Sequence, residues 1–166
     1  MSTAEKTMRI AITNEPARVS EARRFVRGFL MDIEASEEDV FEILVAVEEA
    51  ASNAVRHARP PNGKGTIEIR CFYAPSEFVV KVADHGPGFE YEPDVVEDVP
   101  DPMASGGRGL FLMNRLMDRV VVEPSEQGTV VTMSRQLNGR DDVPADETYH
   151  RTHEEHPRLP GPEISD

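Results

Sequence analysis

From Ser36 to Ala58 the apolar residues Val40, Leu44, Val47, Ala51, Ala54 and Ala58 keep helical period, and Pro60 and Pro61 stop the run. A long helix with one apolar stripe must lie on another layer, which constrains the fold more than any other feature of the chain. Ser36, three residues ahead of Asp39, supplies a capping-box spacing at its start. Before it, MRIAIT (Met8 to Thr13) alternates apolar and polar as a half-buried strand does, Asn14 to Pro16 punctuates, and a helix is expected from Pro16 to about Met31. After it, Gly65 to Tyr73 and Glu77 to Asp84 read as strands joined through Ala74-Pro75-Ser76, an antiparallel hairpin. His85 to Ser105 is rich in Gly, Pro and acid without periodicity, and a loop of that length in a compact domain is usually a functional lid. A short helix from about Gly109 to Met117 and the strands RVVVEP and GTVVTMSRQ complete the order. This order predicts an α+β fold: a two-layer sandwich with a mixed, mostly antiparallel sheet and helices on one face.

The 166 residues, 39% of them apolar, suffice for one domain with an ordinary core. That domain is expected over 1–137. Residues 138–166 are rich in Asp, Glu and Pro and poor in large aliphatics, so they read as a flexible acidic tail. A single cysteine, Cys71, allows no intramolecular disulfide, and MSTAEKTMRI lacks the apolar stretch of a signal segment. A cytoplasmic location is expected. The net charge of −13 opposes phosphate backbones and anionic headgroups, and no apolar run is long enough to span a bilayer, so neither nucleic acid nor membrane is an expected partner.

Four short patterns carry the chemistry. Glu49 and Asn53 are four residues apart on the long helix, so they share a face, roughly opposite the stripe through Val47 and Ala51. In DHGPGF a strand ends in Asp84, and Gly86 and Gly88 permit a tight turn or a close approach of backbone to ligand; an acid there can accept a hydrogen bond from an amino group such as that of adenine. SGGRGL places Gly106, Gly107 and Gly109 at a helix start, where backbone N–H groups and the helix dipole attract phosphate, with Arg108 able to add a charged contact and Leu110 closing the motif. Gly128-Thr129 opens the last strand, and the Thr129 hydroxyl could join Asp84 at a base-binding site. Each pattern alone has an ordinary reading: a solvated helix face, a Gly-Pro-Gly turn, a linker, a hairpin turn.

Taken in order, E-x-x-x-N, D-x-G-x-G, the glycine loop and G-T, with a lid between the second and third, the chain resembles the GHKL ATPase superfamily over about Met8 to Gln136. The resemblance implies that ATP is bound, that Asn53 holds Mg2+ against the phosphates, and that Glu49 is the general base. It also implies that Asp84 bonds the adenine amino group, that Gly86 and Gly88 shape the base pocket and Thr129 lies near the base. Gly106, Gly107 and Gly109, with Arg108 and Leu110, match the phosphate-covering loop.

The stand-alone length, the EEAASNAVRHA helix and the GGRGLFLMNRLMD loop are similar to bacterial anti-sigma-factor serine/threonine kinases. That resemblance implies a kinase that binds a sigma factor and phosphorylates an anti-anti-sigma protein of the STAS type, acting as a homodimer. Two other readings keep the fold: a partner-binding module that uses ATP only as a conformational ligand, and a detached catalytic domain acting on a histidine-bearing protein. A plain ATPase without a protein substrate is a third. Glu48 has no motif counterpart and reads as a surface acid. Arg18, Arg23 and Arg24 read as a solvated helix face, with docking of an acidic partner as the alternative. His150, His153 and His156 in the acidic tail carry no metal-site expectation, and His57 reads as a polar helix end.

Overall fold

The computed structural model describes residues 5–57, 65–84 and 107–137. The expected lid, the acidic tail, Pro60, Pro61, Gly86, Gly88 and Gly106 lie outside these residues.

Strand β1 spans Lys6–Thr13, and a 3-10 turn at Pro16–Arg18 leads into helix α1, Val19–Asp32. Proline at the first position of that turn has its φ preset and no N–H to leave unsatisfied, which is why the regular α-helix begins three residues later than the sequence suggested. Helix α2 follows at Glu37–His57, then β2 at Thr66–Ala74 and β3 at Glu77–Asp84. Helix α3 is Gly107–Leu116, β4 Arg119–Ser125 and β5 Gly128–Gln136. At the predicted capping-box spacing Ser36 Oγ accepts the Asp39 N–H at 3.1 Å and donates to the Asp39 carboxylate at 2.8 Å. Glu37, Glu38 and Asp39 occupy the first turn of α2, and Arg56 and His57 the last, the charge order that the helix dipole favours.

The five strands pair in the order β1-β2-β3-β5-β4, and all four pairings are antiparallel, so among the described residues the sheet is not mixed. The connections explain this. Tight turns join β2 to β3 and β4 to β5, while α1 and α2 run down and back between β1 and β2, returning the chain to the end where β1 finished. Ser76 takes a left-handed φ of 71° in the first turn and Gly128 a φ of 143° in the second.

Alternate residues of every strand face the helices. Ile67, Ile69 and Cys71 of β2, Phe78, Val80 and Val82 of β3, and Val131 and Met133 of β5 are buried. Against them pack Ala22, Val26, Phe29 and Leu30 of α1 and Ile43, Leu44, Val47 and Ala51 of α2. Phe29 and Phe78 meet with ring centroids 5.9 Å apart. The helices thus cover one face, as the sequence predicted, and α2 also packs on α3.

Alternating chain direction sorts the elements between two ends of this sandwich. The Ala83–Val130 and Ile67–Asp84 pairings place the end of β3 beside the start of β5 and of β2. At the opposite end, Arg135 on β5 donates to Asp39 of α2 at 2.9 Å, pairs with Glu42 and also donates to the Leu116 carbonyl that closes α3. Helix α2 therefore delivers its C-terminal half, and α3 its N-terminus, to the same end as Asp84.

Candidate nucleotide site

The sequence left the Glu49 and Asn53 face of α2 opposite the core. The structure instead covers it with α3: Asn53 is buried and Glu49 half-buried. A helix bearing apolar stripes on two sides can serve a sheet and a neighbouring helix together, and Ala46, Ala50 and Ala54 supply the second, small-residue surface.

Gly109, at the start of α3, meets the pair. A β-carbon placed there would stand 2.8 Å from Glu49 Oε2, 3.1 Å from Asn53 Nδ2 and 3.6 Å from Asn53 Oδ1. Only glycine lets α3 come this near without displacing those side chains. Helix α3 begins at Gly107, so Gly107, Arg108, Gly109 and Leu110 are its first four residues, the ones whose N–H groups a helix cannot satisfy from within. Leu110 packs its side chain against the core, so its offering to a ligand is the backbone N–H; Arg108 is exposed. Helix start, carboxylate and amide converge, an arrangement suited to anionic oxygen.

At the same end, one residue past the Ala83–Val130 pairing, the Thr129 N–H donates to Asp84 Oδ1 at 3.3 Å. Asp84 and Thr129 are both buried. The sequence expected the Thr129 hydroxyl to join Asp84 at a base-binding site; the structure brings the two residues together through the backbone N–H. A buried carboxylate held at the mouth of a sheet is equipped to accept a further hydrogen bond from an amino group.

One neighbour escaped the sequence reading. Arg56 Nη2 donates to Asn53 Oδ1 at 2.7 Å. Its three-residue offset on α2 was a visible signal, yet an arginine in a last helical turn reads as a dipole partner. Arg23 pairs instead with Glu48 at 2.6 Å, and Arg18 with Glu21 and Glu15, so two of the three first-helix arginines are engaged on the helices' own surface.

Comparison with known proteins settles the family. Residues 12–135 match the profile described as histidine kinase-like ATPase domain. This chain belongs to that family. Its relatives include the serine-protein kinase RsbW of Bacillus velezensis, 33% identical over 146 residues that cover 84% of this chain and 91% of that one. RsbW of Bacillus subtilis is 31% identical over 132 residues, 75% of this chain and 82% of its own. An anti-sigma F factor of Clostridium botulinum is 27% identical over 139 residues, 81% and 96% respectively. Within the histidine kinase-like ATPases the chain therefore falls among the anti-sigma-factor serine/threonine kinases. A solved structure of the RsbU and RsbW domains of Rv1364c from Mycobacterium tuberculosis shares the fold at a TM-score of 0.62 and 20% identity, over 80% of this chain and 32% of that longer one.

Proposed function

We propose that this chain is an ATP-dependent serine kinase that holds a sigma factor and phosphorylates a serine of a small anti-anti-sigma protein. The single observation that carries the reading is the convergence at Gly109, where the start of α3 approaches Glu49 and Asn53 so closely that a β-carbon would strike them. Family membership supplies the reaction class, and that junction supplies a base, an amide and a row of N–H groups in one place.

Asp84 accepts the adenine amino group, with Thr129 beside it. The amides of Gly107 to Leu110 face the phosphates, and Arg108 adds charge. Glu49 takes the proton from the partner's serine hydroxyl as that oxygen bonds to the terminal phosphorus; the bond from phosphorus to the bridging oxygen breaks, and ADP leaves with the electron pair. Among the described residues the carboxylate of Glu49 has no hydrogen bond or ion pair, so its lone pairs are available.

The donor set fits magnesium borne by a nucleotide. Asn53 offers one amide oxygen, and no group of three or more His, Cys, Asp or Glu among the described residues forms a cage, so Asn53 would hold a divalent ion that arrives with the nucleotide's phosphates. When bound, it neutralises phosphate charge. Gly86, Gly88 and Gly106 belong to the same assignment through the motif. A homodimer and a cytoplasmic site of action complete the proposal; among the described residues no helix is long and apolar enough to cross a membrane.

The test is incubation with ATP and candidate STAS-type proteins, with the product mapped by mass spectrometry. Phosphoserine formed by the native chain and lost in Glu49→Gln, with ATP still bound, supports the reading. ATP binding with no phosphoserine, or an acid-labile phosphohistidine, overturns it.

A further inference from the structure

The helices lie on one face of the sheet and, among the described residues, leave the other open. Over β3, β5 and β4 that open face holds a shallow depression of about 340 Å³. The strand pairings put Val79, Ser134 and Arg119 in one row across it and Lys81, Thr132 and Val121 in the next. A half-turn about the sheet normal, centred between Ser134 and Thr132, exchanges the two rows: valine falls on valine, Lys81 on Arg119 and serine on threonine. One step further along the outer strands, the same half-turn lays Glu77 on Glu123. The patch is its own chemical copy.

Its charges are unspent. Among the described residues none of Glu77, Lys81, Arg119 and Glu123 has an ion pair or a side-chain hydrogen bond. The strand spacing explains this, since opposite charges in the patch stand about 12–13 Å apart at their Cα atoms. Thr132 Oγ1, in the centre, is buried without a hydrogen-bond partner, a deficit that native proteins seldom leave. A net charge of −13 opposes self-association wherever acids would face acids, whereas two cations balance two anions here.

We propose that a second copy of this chain covers this face, the two sheets packing against each other about a two-fold axis that runs along β5. The inference rests on the homodimer reading above and gives it a surface. About that axis β3 of one copy lies over β4 of the other, row upon row. Lys81 then stands over Val121 of the second copy, one step from Glu123, and Arg119 stands over Val79, one step from Glu77. Each cation gains an anion that its own chain holds out of reach, and the apolar stems of Lys81 and Arg119 cover the two valines. Ser134 and Thr132 fall on the axis, where small side chains let the sheets close and hydroxyls, which both donate and accept, can face their own kind.

Sedimentation velocity over a concentration series, on the native chain, Lys81→Glu, Glu123→Lys and the double exchange Lys81→Glu with Glu123→Lys, tests it. The native chain is expected to sediment as a dimer. Each single reversal sets like charges against each other and should weaken association about tenfold or more, and the double exchange should restore it. Lys81 and Glu123 are exposed, so the circular dichroism spectrum of every variant stays native. A native chain that remains monomeric overturns this proposal and the homodimer reading together. A dimer that no variant loosens, or one loosened by the single reversals without recovery in the double exchange, leaves the homodimer standing and excludes this docking.

Discussion

The two ends of the sandwich use the same vocabulary of acids, arginine and amide in opposite ways. At one end Asp39, fully buried, and Glu42 meet Arg135 from β5, which also donates to the Leu116 carbonyl, so α2, α3 and the sheet are tied through a single guanidinium. Burial works against the Arg135 charge, but its bonds to Glu42 and Asp39 prevail and its pKa is raised. At the other end, about 20 Å along α2, among the described residues Glu49 lacks any such clamp and Asn53 accepts a side-chain hydrogen bond from an arginine of its own helix. Saturated charges fix elements in place. Uncommitted ones, set against a backbone that a glycine allows to come close, are the ones the proposed function uses.

Removing the clamp should have the largest effect. Arg135→Ala removes the cation paired with a buried carboxylate and is expected to lower stability by about 3–5 kcal/mol, read by urea unfolding, while the folded fraction keeps its nucleotide affinity. A specific loss of ATP binding would break the separation of the two ends. Glu49→Gln is the mirror case: phosphotransfer should fall about a hundredfold or more in a labelled-ATP assay, with an unchanged unfolding midpoint. Gly109→Ala sharpens this further, since the added methyl meets the flexible end of Glu49 and the Asn53 amide. Turnover should drop about ten- to a hundredfold, while stability moves by less than about 1 kcal/mol.

Much of this architecture was legible because it is local. Strand alternation, the Ser36 cap and the glycine-opened helix are written within a few residues of one another, and the elements fall within three residues of their expected ends. The grouping of the candidate site residues was legible because Glu49 and Asn53 share a helix face and Asp84 ends a strand. What escaped depends on docking. Asp39 and Arg135 are 96 residues apart, and neither has a periodicity that points to the other. The coverage of Asn53 by α3 and the grip of Arg56 on its oxygen arise only when two helices meet.

Smaller effects bound the comparison from outside both ends. Cys71, mid-strand in the core, has its thiol pushed up to about 12 by desolvation, from 9.0. Between those values the unfolded chain has released a proton that the folded chain keeps, so stability falls with rising pH across that window. Cys71→Ala should flatten this part of the pH dependence in urea titrations; an unchanged slope would show that other groups dominate. Least affected is the exposed pair Arg23–Glu48, with side chains 45% and 47% accessible. Arg23→Ala should change stability by no more than about 0.5 kcal/mol, and a larger shift in partner binding than in melting would reopen this helix face as a docking surface.

The bond between the Thr129 amide and Asp84 has a spectroscopic consequence. Its neighbours in β5 exchange their amide hydrogens at rates set by opening of the sheet, whereas the Thr129 hydrogen is guarded by a side-chain carboxylate that the proposed function assigns to adenine. In a nuclear magnetic resonance titration that one amide should shift and slow on adenine binding while Val131 and Met133 stay still, making it a residue-level meter of occupancy.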